Sequence, residues 1–269
     1  MGAIKVIIPP LCEPVTLAEI KQHLHVVSTN DDELISVYIT AAREWCEEFT
    51  GRSFVNKGYL QTLDTFPYYV DSNPALIGYG PSFYTWPRYA TTLWNEAQRI
   101  RLYYSELVSV AKIKYLDATT LTFLELHPSS NVAGKDGDFV ADYISKPPRL
   151  FPNPGQFWPA AAYTPNAVEV YYVAGYNDDR IIANLVNQFA EGSPAPSPED
   201  IWEYEAGLRQ KTHPPGNIPG RIKQAIRFLV GHYYENRESV SNLKLAEVPQ
   251  GVQALLWSER VYDLDTTRQ

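Results

Sequence analysis

Cysteine is nearly missing from this chain, with only Cys12 and Cys46 among 269 residues. That excludes a disulfide scaffold and a four-cysteine zinc site, and it makes a reducing compartment the expected one. Basic residues are also in deficit. Lys and Arg number 23 against 31 Asp and Glu, for a formal net charge of −8. Proteins that hold phosphate backbones draw their grip from clustered Lys and Arg, so tight nucleic-acid binding is not expected. Long apolar helical runs are absent too. The uncharged run from Leu150 to Val168 contains Pro152, Pro154, Pro159 and Pro165, a density that stops a helix, so no membrane span is expected. The opening stretch Met1–Pro10 has one lysine and a short apolar run, not the pattern of a signal peptide.

Signatures of catalysis are likewise missing. The chain holds no Gly-x-Ser-x-Gly, no His-Glu-x-x-His and no Gly-x-Gly-x-x-Gly. Gly134-Lys135 is followed by Asp136 and reads as a turn, not a phosphate loop. His23 and His25 lie two apart, so a helix points them to different sides. Cys46 neighbours an apolar stripe, where a free thiol behaves as a small hydrophobe. Asp31–Asp32 suit a helix start, Glu47–Glu48 fall at a helix end, Asp178–Asp179 read as solvated loop, and His232 as a packed side chain. No catalytic residue, metal ligand or cofactor is expected, and the chain is read as not an enzyme.

What is present is an ordinary globular composition, 45% hydrophobic and 20% charged, with 19 Tyr, 10 Phe and 6 Trp. Tyr and Trp combine apolar area with a polar tip and serve interfaces as well as cores. Thr16 and Glu19 form a capping box for a helix over Leu17–Leu24. A second helix is expected from Asp31, with Leu34, Val37, Tyr38, Ala41, Trp45 and Phe49 on its apolar face and Gly51 closing it. Candidate strands follow at Gly58–Phe66, Arg99–Ser105, Val108–Leu116, Leu121–Leu126, Asp138–Ile144 and Ala167–Ala174, with a hairpin turn at Asp117–Thr120. Pro67–Ala97 and Asn177–Asn217 are irregular, with a short helix allowed at Ile181–Glu191. A third helix is expected from Pro219 to about Arg237, its buried face carrying Ile222, Ala225, Ile226, Leu229, Val230 and Tyr233. A fourth is expected from about Pro249 to Tyr262.

The expected fold is therefore α+β: a small bundle of N- and C-terminal helices with an inserted antiparallel β module. The expected divisions are 1–56 (N-terminal helices), 57–176 (β-rich module), 177–217 (irregular Pro-rich insertion) and 218–269 (C-terminal helices and tail).

These residues carry a resemblance. Val15-Thr-Leu-Ala-Glu-Ile-Lys-Gln-His-Leu24, Asp31-Asp-Glu-Leu-Ile35, Ala41-Ala-Arg-Glu44 and Glu48-Phe-Thr-Gly-Arg52 resemble the start of the head–tail connector (adaptor) proteins of tailed bacteriophages. Pro147–Pro152, Trp158-Pro159, Asn166–Val170 and Ala174-Gly-Tyr176 resemble the β module of larger members. Ile218–Ile226, His232–Glu238, Pro249–Leu256 and Arg260-Val261 resemble their late helices and ending. The segments Pro67–Ala97 and Ile181–His213 are longer than the usual family loops. The resemblance implies a structural virion protein of the head–tail neck, held in the host cytoplasm before assembly. It implies a ring, usually of twelve copies, that sits beneath the portal protein, contacts neighbouring adaptor subunits and extends the channel for double-stranded DNA without binding it tightly. A stopper, neck or tail protein would follow it.

Two surfaces are expected to meet partners. Leu255, Leu256, Trp257, Arg260, Val261 and Tyr262 are assigned to portal docking, which the resemblance places at the C-terminus; Trp, Tyr and Arg dominate many interfaces. Tyr79, Phe83, Tyr84, Trp86 and Tyr89 are assigned to a loop interface, because a long loop with many rings and prolines offers rigid contact area. Other readings open at this point are a different neck component (a stopper or tail-completion protein), a cytoplasmic enzyme with a site between helices and β module, and a glycan- or peptide-binding module.

Overall fold

A computed structural model of the chain describes residues 3–67, 98–129, 136–176, 186, 218–236 and 250–261. It is α+β, as expected. The described elements are β1 (Ile4–Ile8), α1 (Leu17–Leu24), α2 (Asp32–Thr50), β2 (Lys57–Leu63), β3 (Ile100–Arg101), β4 (Leu107–Leu116), β5 (Phe123–Leu126), β6 (Phe139–Asp142), β7 (Arg149–Pro152), β8 (Val168–Ala174), α3 (Gly220–Glu235) and α4 (Gln250–Trp257).

The helices begin and end for local reasons. The Thr16 hydroxyl accepts from the Glu19 N–H at 3.2 Å, and the Glu19 carboxylate accepts from the Thr16 N–H at 2.8 Å. This reciprocal box satisfies two orphan donors of α1. Its far end closes at His25, in the left-handed region. Gly51 closes α2 with φ of +68°, where a residue without Cβ is unstrained. Asp31 opens α2 without a side-chain cap of its own; its carboxylate accepts from the Tyr234 hydroxyl at 2.7 Å and so ties α2 to α3.

The four helices share one core. Ile20 of α1, Ile35, Ile39, Ala42 and Cys46 of α2, Ile222, Ala225, Ile226, Leu229 and Val230 of α3, and Val252 and Leu256 of α4 are all buried in it. Each fully buried aliphatic side chain contributes about 1.5–3 kcal/mol, which short helices need because alone in water they are marginal. The α3 face is the one expected. The α2 face is rotated from the expected one: Val37 is 59% exposed, while Tyr38, Trp45 and Phe49 only flank the core. The helix is covered from two sides, and the cover centres on the Ile35–Ile39–Ala42–Cys46 row.

The β module has two described sheets. One is five-stranded in the order β1-β2-β8-β4-β5, and the other is three-stranded in the order β3-β7-β6; all their pairings are antiparallel. β2 runs against β8 from Lys57 opposite Ala174 to Leu63 opposite Val168. Gly58 is required here, because a Cβ would come within 2.5 Å of Val186 and 2.8 Å of Ile8. The core between the sheets is aromatic: Tyr59, Phe66, Tyr115, Phe139 and Tyr172 with Ile100, Ile113, Leu150, Val168 and Val170. Trp158 stacks on Phe66 at 5.0 Å.

Several expected boundaries move. β1 and β7 are strands that the sequence reading lacks. The expected strand at Arg99–Ser105 shrinks to Ile100–Arg101, and that at Asp138–Ile144 stops at Asp142, whose carboxylate accepts from the Ile144 and Ser145 N–H groups at 3.0 and 3.1 Å. The hairpin turn is as expected: the Asp117 carboxylate accepts from the Thr119 and Thr120 N–H groups at 3.0 and 2.7 Å. α4 ends at Trp257, not Tyr262. The Ile181–Glu191 helix lies outside the described residues except for Val186, which is helical and buried.

Candidate docking interface and ionic junction

The region where α2 passes into β2 gathers most of the buried charge. Arg43, Glu47 and Lys57 are 2%, 3% and 7% exposed. The Arg43 guanidinium donates to Glu47 at 2.9 Å and to Glu13 at 2.8 Å. The Lys57 ammonium donates to the same Glu47 oxygen that Arg43 holds, and the Phe54 N–H donates to the other at 2.8 Å. Burial pulls the Arg43 and Lys57 pKa values down, and Glu47 opposes it in both. For Arg43 the two carboxylates win and raise the pKa; for Lys57 burial wins and its pKa is lowered. Glu44 adds a third, exposed carboxylate 3.4 Å from Arg43, and both Glu47 oxygens are engaged. This arrangement locks helix to sheet.

The adjoining cluster forms across the Gly51 turn. A single nitrogen of Arg52, Nη1, donates to Glu106 at 2.8 Å and to the Tyr176 hydroxyl at 2.7 Å, and lies 3.5 Å from Glu259. Lys146 pairs with Glu106 from outside. Arg221 of α3 reaches the other Glu259 oxygen at 3.5 Å. Burial, with Glu106 adding to it, pushes the Tyr176 hydroxyl up to about 12, so it stays protonated at neutral pH. Burial and then Glu47 push the Cys46 thiol up to about 12, in line with its reading as an inert core residue.

The C-terminal residues assigned to docking divide. Leu256 is fully buried in the bundle and Leu255 packs against the same core, so Leu256 anchors α4 rather than facing outward. Trp257 is 56% exposed. The Arg260 guanidinium lies 5.4 Å from the Phe49 ring and 5.8 Å from the Trp257 ring. Phe49 in turn stacks on Trp45 at 5.3 Å. The Val261 N–H donates to the Thr50 carbonyl at 2.8 Å. The outward surface is therefore a strip of Trp45, Phe49, Arg260 and Trp257 running from α2 to the end of α4. Tyr262, and the loop residues Tyr79, Phe83, Tyr84, Trp86 and Tyr89, lie outside the described residues.

Sequence reasoning missed Glu47 and Arg52. For Glu47 a signal existed: Arg43 precedes it by one turn, and both fall beside Ala42 and Cys46 on the core row. Arg52 gave none, since its partners lie 54 and 124 residues away. His23 packs on Phe228 at 6.1 Å and His232 on Tyr233 at 6.3 Å. Among the described residues no group of three His, Cys, Asp or Glu side chains could hold a metal ion, and no helix is long and apolar enough to cross a membrane.

Fold and site thus define a class: an α+β protein whose buried ionic groups fasten a helical bundle to a β module. Residues 14–74 match the family model of the phage gp6-like head-tail connector proteins, and the resemblance to tailed-phage head–tail connectors read from the sequence holds. The fold as a whole is similar to that of a chain in the neck of an empty gene transfer agent (GTA) particle computed with C6 symmetry, with a TM-score of 0.56, 16% identity and coverage of 98% of this chain and 97% of that one. It is also similar to a chain in the neck of the native GTA particle computed with C12 symmetry, with a TM-score of 0.53, 18% identity and coverage of 98% and 97%. A chain of the native GTA virion matches at a TM-score of 0.53 and 16% identity, over 97% and 96%. Comparison with curated protein sequences finds no match.

Proposed function

We propose that this chain is a structural head–tail adaptor of a tailed-phage-like particle. Copies of it form a ring under the portal protein, extend the DNA channel and present a surface to the next neck or tail component. The observation that carries this reading is the connector-family match over residues 14–74, which spans α1, α2, the Gly51 turn and all of β2. The neck chains of similar fold support the architecture over nearly the full length. The net charge of −8 suits a channel that must let DNA pass, since few cations are available to hold phosphates. The C-terminal strip of Trp257 and Arg260, with the residues after Val261, is the portal-facing element in this reading.

Mass measurement of the chain alone and with a purified portal ring tests it. The expected result is a monomer at micromolar concentration and a multi-copy ring, twelve in number, once portal is added. Each subunit then gains two neighbours and a portal contact, so weak pairwise interfaces suffice in a closed ring. A chain that ignores portal but binds a preformed adaptor ring would be a stopper or tail-completion protein instead.

A further inference from the structure

After α4 the backbone does not simply run on. The Glu259 N–H donates to the Leu256 carbonyl at 2.9 Å and the Arg260 N–H to the Trp257 carbonyl at 3.4 Å; the chain then crosses to α2, where Val261 bonds Thr50 at 2.8 Å. Glu259 is only 8% exposed. Its backbone role in this turn could be filled by almost any residue, and burying its carboxylate carries a desolvation cost. What the carboxylate adds is direction. One oxygen faces Arg52 and the other Arg221, each at 3.5 Å, and Arg221 also donates to the Ser258 hydroxyl at 2.7 Å. Arg52 is itself held by Glu106, in the turn before β4, and by Tyr176, just past β8. One guanidinium nitrogen therefore registers the exit of α4 against the α2–β2 turn and against two places in the β module.

We propose that the Arg52–Glu259 pair is a latch that fixes where, and in which direction, the chain leaves the body after Val261. Arg52 and Glu259 are then positioning residues for the C-terminal docking element. Their functional consequence rests on the portal-docking reading above; the latch itself does not. Without the pair, the exit still has the Val261–Thr50 and Arg221–Ser258 hydrogen bonds and the Arg260 ring contacts, but none of these ties it to the β module, and the strip of Arg260 and Trp257 is held less firmly against Phe49.

Limited trypsin digestion of the full-length chain, followed by intact mass, tests the latch. Cleavage after Arg260 requires the Arg260–Val261 segment to leave α2, so its rate tracks the open population. Glu259→Gln leaves Arg52 with Glu106 and Tyr176, so the junction of bundle and β module persists. The expected result is cleavage after Arg260 about ten-fold faster, cleavage after Arg268 unchanged, and a melting temperature within about 2 °C of wild type. Cleavage after Arg260 at the wild-type rate overturns the proposal. Should Glu259→Gln melt far lower, Glu259→Asp serves instead, because it keeps the buried negative charge while the shorter side chain lengthens the 3.5 Å approach to Arg52. A several-fold acceleration at Arg260 is expected, and none overturns the latch. A purified portal ring separates the two ideas. Glu259→Gln should weaken portal binding about ten-fold at unchanged melting temperature. If deletion of Ser258–Gln269 leaves portal binding as in wild type, the docking reading fails, while the latch is still decided by the cleavage rate.

Discussion

The two larger cores among the described residues are filled differently. The bundle core is aliphatic: apart from Phe54, its buried members are Val, Ile, Leu, Ala and Cys. The core of the β module is built around rings, with Tyr59 stacked between Tyr104 at 4.8 Å and Tyr172 at 5.3 Å, and Phe66 between Tyr115 and Trp158. Small branched side chains let helices approach closely, whereas rings span the wider gap between two sheets. At the junction, beside Phe54 and Tyr176 of the bundle core, lies the charged layer of Arg43, Glu47 and Lys57. Two domains that met only through apolar contact could slide; a buried carboxylate with three fixed donors holds one register. The difference teaches that the chain spends aromatic and aliphatic area on each half's own stability, and charge on their relative position.

The largest effect should come from that layer. Glu47→Ala leaves Arg43 and Lys57 buried without their shared carboxylate and the Phe54 N–H without its acceptor. We expect a loss of about 3–5 kcal/mol in urea denaturation. A loss below about 1 kcal/mol would mean that the halves do not depend on this layer. Next in size is the aliphatic core. Leu229→Ala and Ile35→Ala should each cost about 2–5 kcal/mol, while Val37→Ala, on the face the periodicity alone favours, should stay within about 0.5 kcal/mol. Equal losses at Ile35 and Val37 would restore the face read from the sequence. Smaller again is Trp45→Ala, at about 1–2 kcal/mol, because the ring is only half-buried and stacks on Phe49 rather than filling the core. A loss of the full core-aromatic size would show that the strip is part of the bundle's interior.

These rotations and omissions have physical causes. What was legible was local. The Thr16–Glu19 box, the α1 span, the Gly51 stop, the Asp117 turn and the α3 face each depend on residues within a few positions of one another. What was not legible was set at long range. On α2, the row through Tyr38, Trp45 and Phe49 and the row Ile35, Ile39, Ala42 and Cys46 both recur at steps of three and four, so periodicity does not choose between them; the row that α1, α3 and α4 cover is the aliphatic one. β1 is a five-residue run whose partner, β2, starts almost fifty residues later. β7 ends in a proline and follows two more, so composition argues against it, but its Arg149–Pro152 backbone pairs with both β3 and β6. In the candidate interface, Trp257 and Arg260 are exposed, which leaves their assignment to docking open to test. The burial of Leu256 was not legible, because an apolar residue on a short helix does not say which neighbour covers it. Glu47 was read only as a helix-end residue; it and Glu259 are buried because cations from other segments meet them.

A last, small loss contrasts that interior charge with a carboxylate that works near the surface. Asp142 at the end of β6 accepts from the Ile144 and Ser145 N–H groups and pairs with Arg149 at 2.8 Å. Burial acts to raise its pKa, but the bonds from Ser145 and Arg149 and the two N–H groups outweigh it and hold the pKa at about 2, below the ordinary 3.8. A carboxylate whose folded pKa is depressed contributes stability above its unfolded pKa and loses it as pH falls through the folded one. After allowing for solvent screening of this partly exposed group, the contribution is about 1 kcal/mol. Asp142→Asn should therefore cost about that much at pH 7. The gap between variant and wild type should begin to close as pH falls below about 4 and vanish toward pH 2. Denaturant titrations of both proteins at pH 7, 4.5 and 3 measure it. A gap that stays constant over that range would mean that Asp142 acts through shape and hydrogen bonding alone, and that the charge at the tip of this hairpin, unlike that of Glu47, adds nothing to stability.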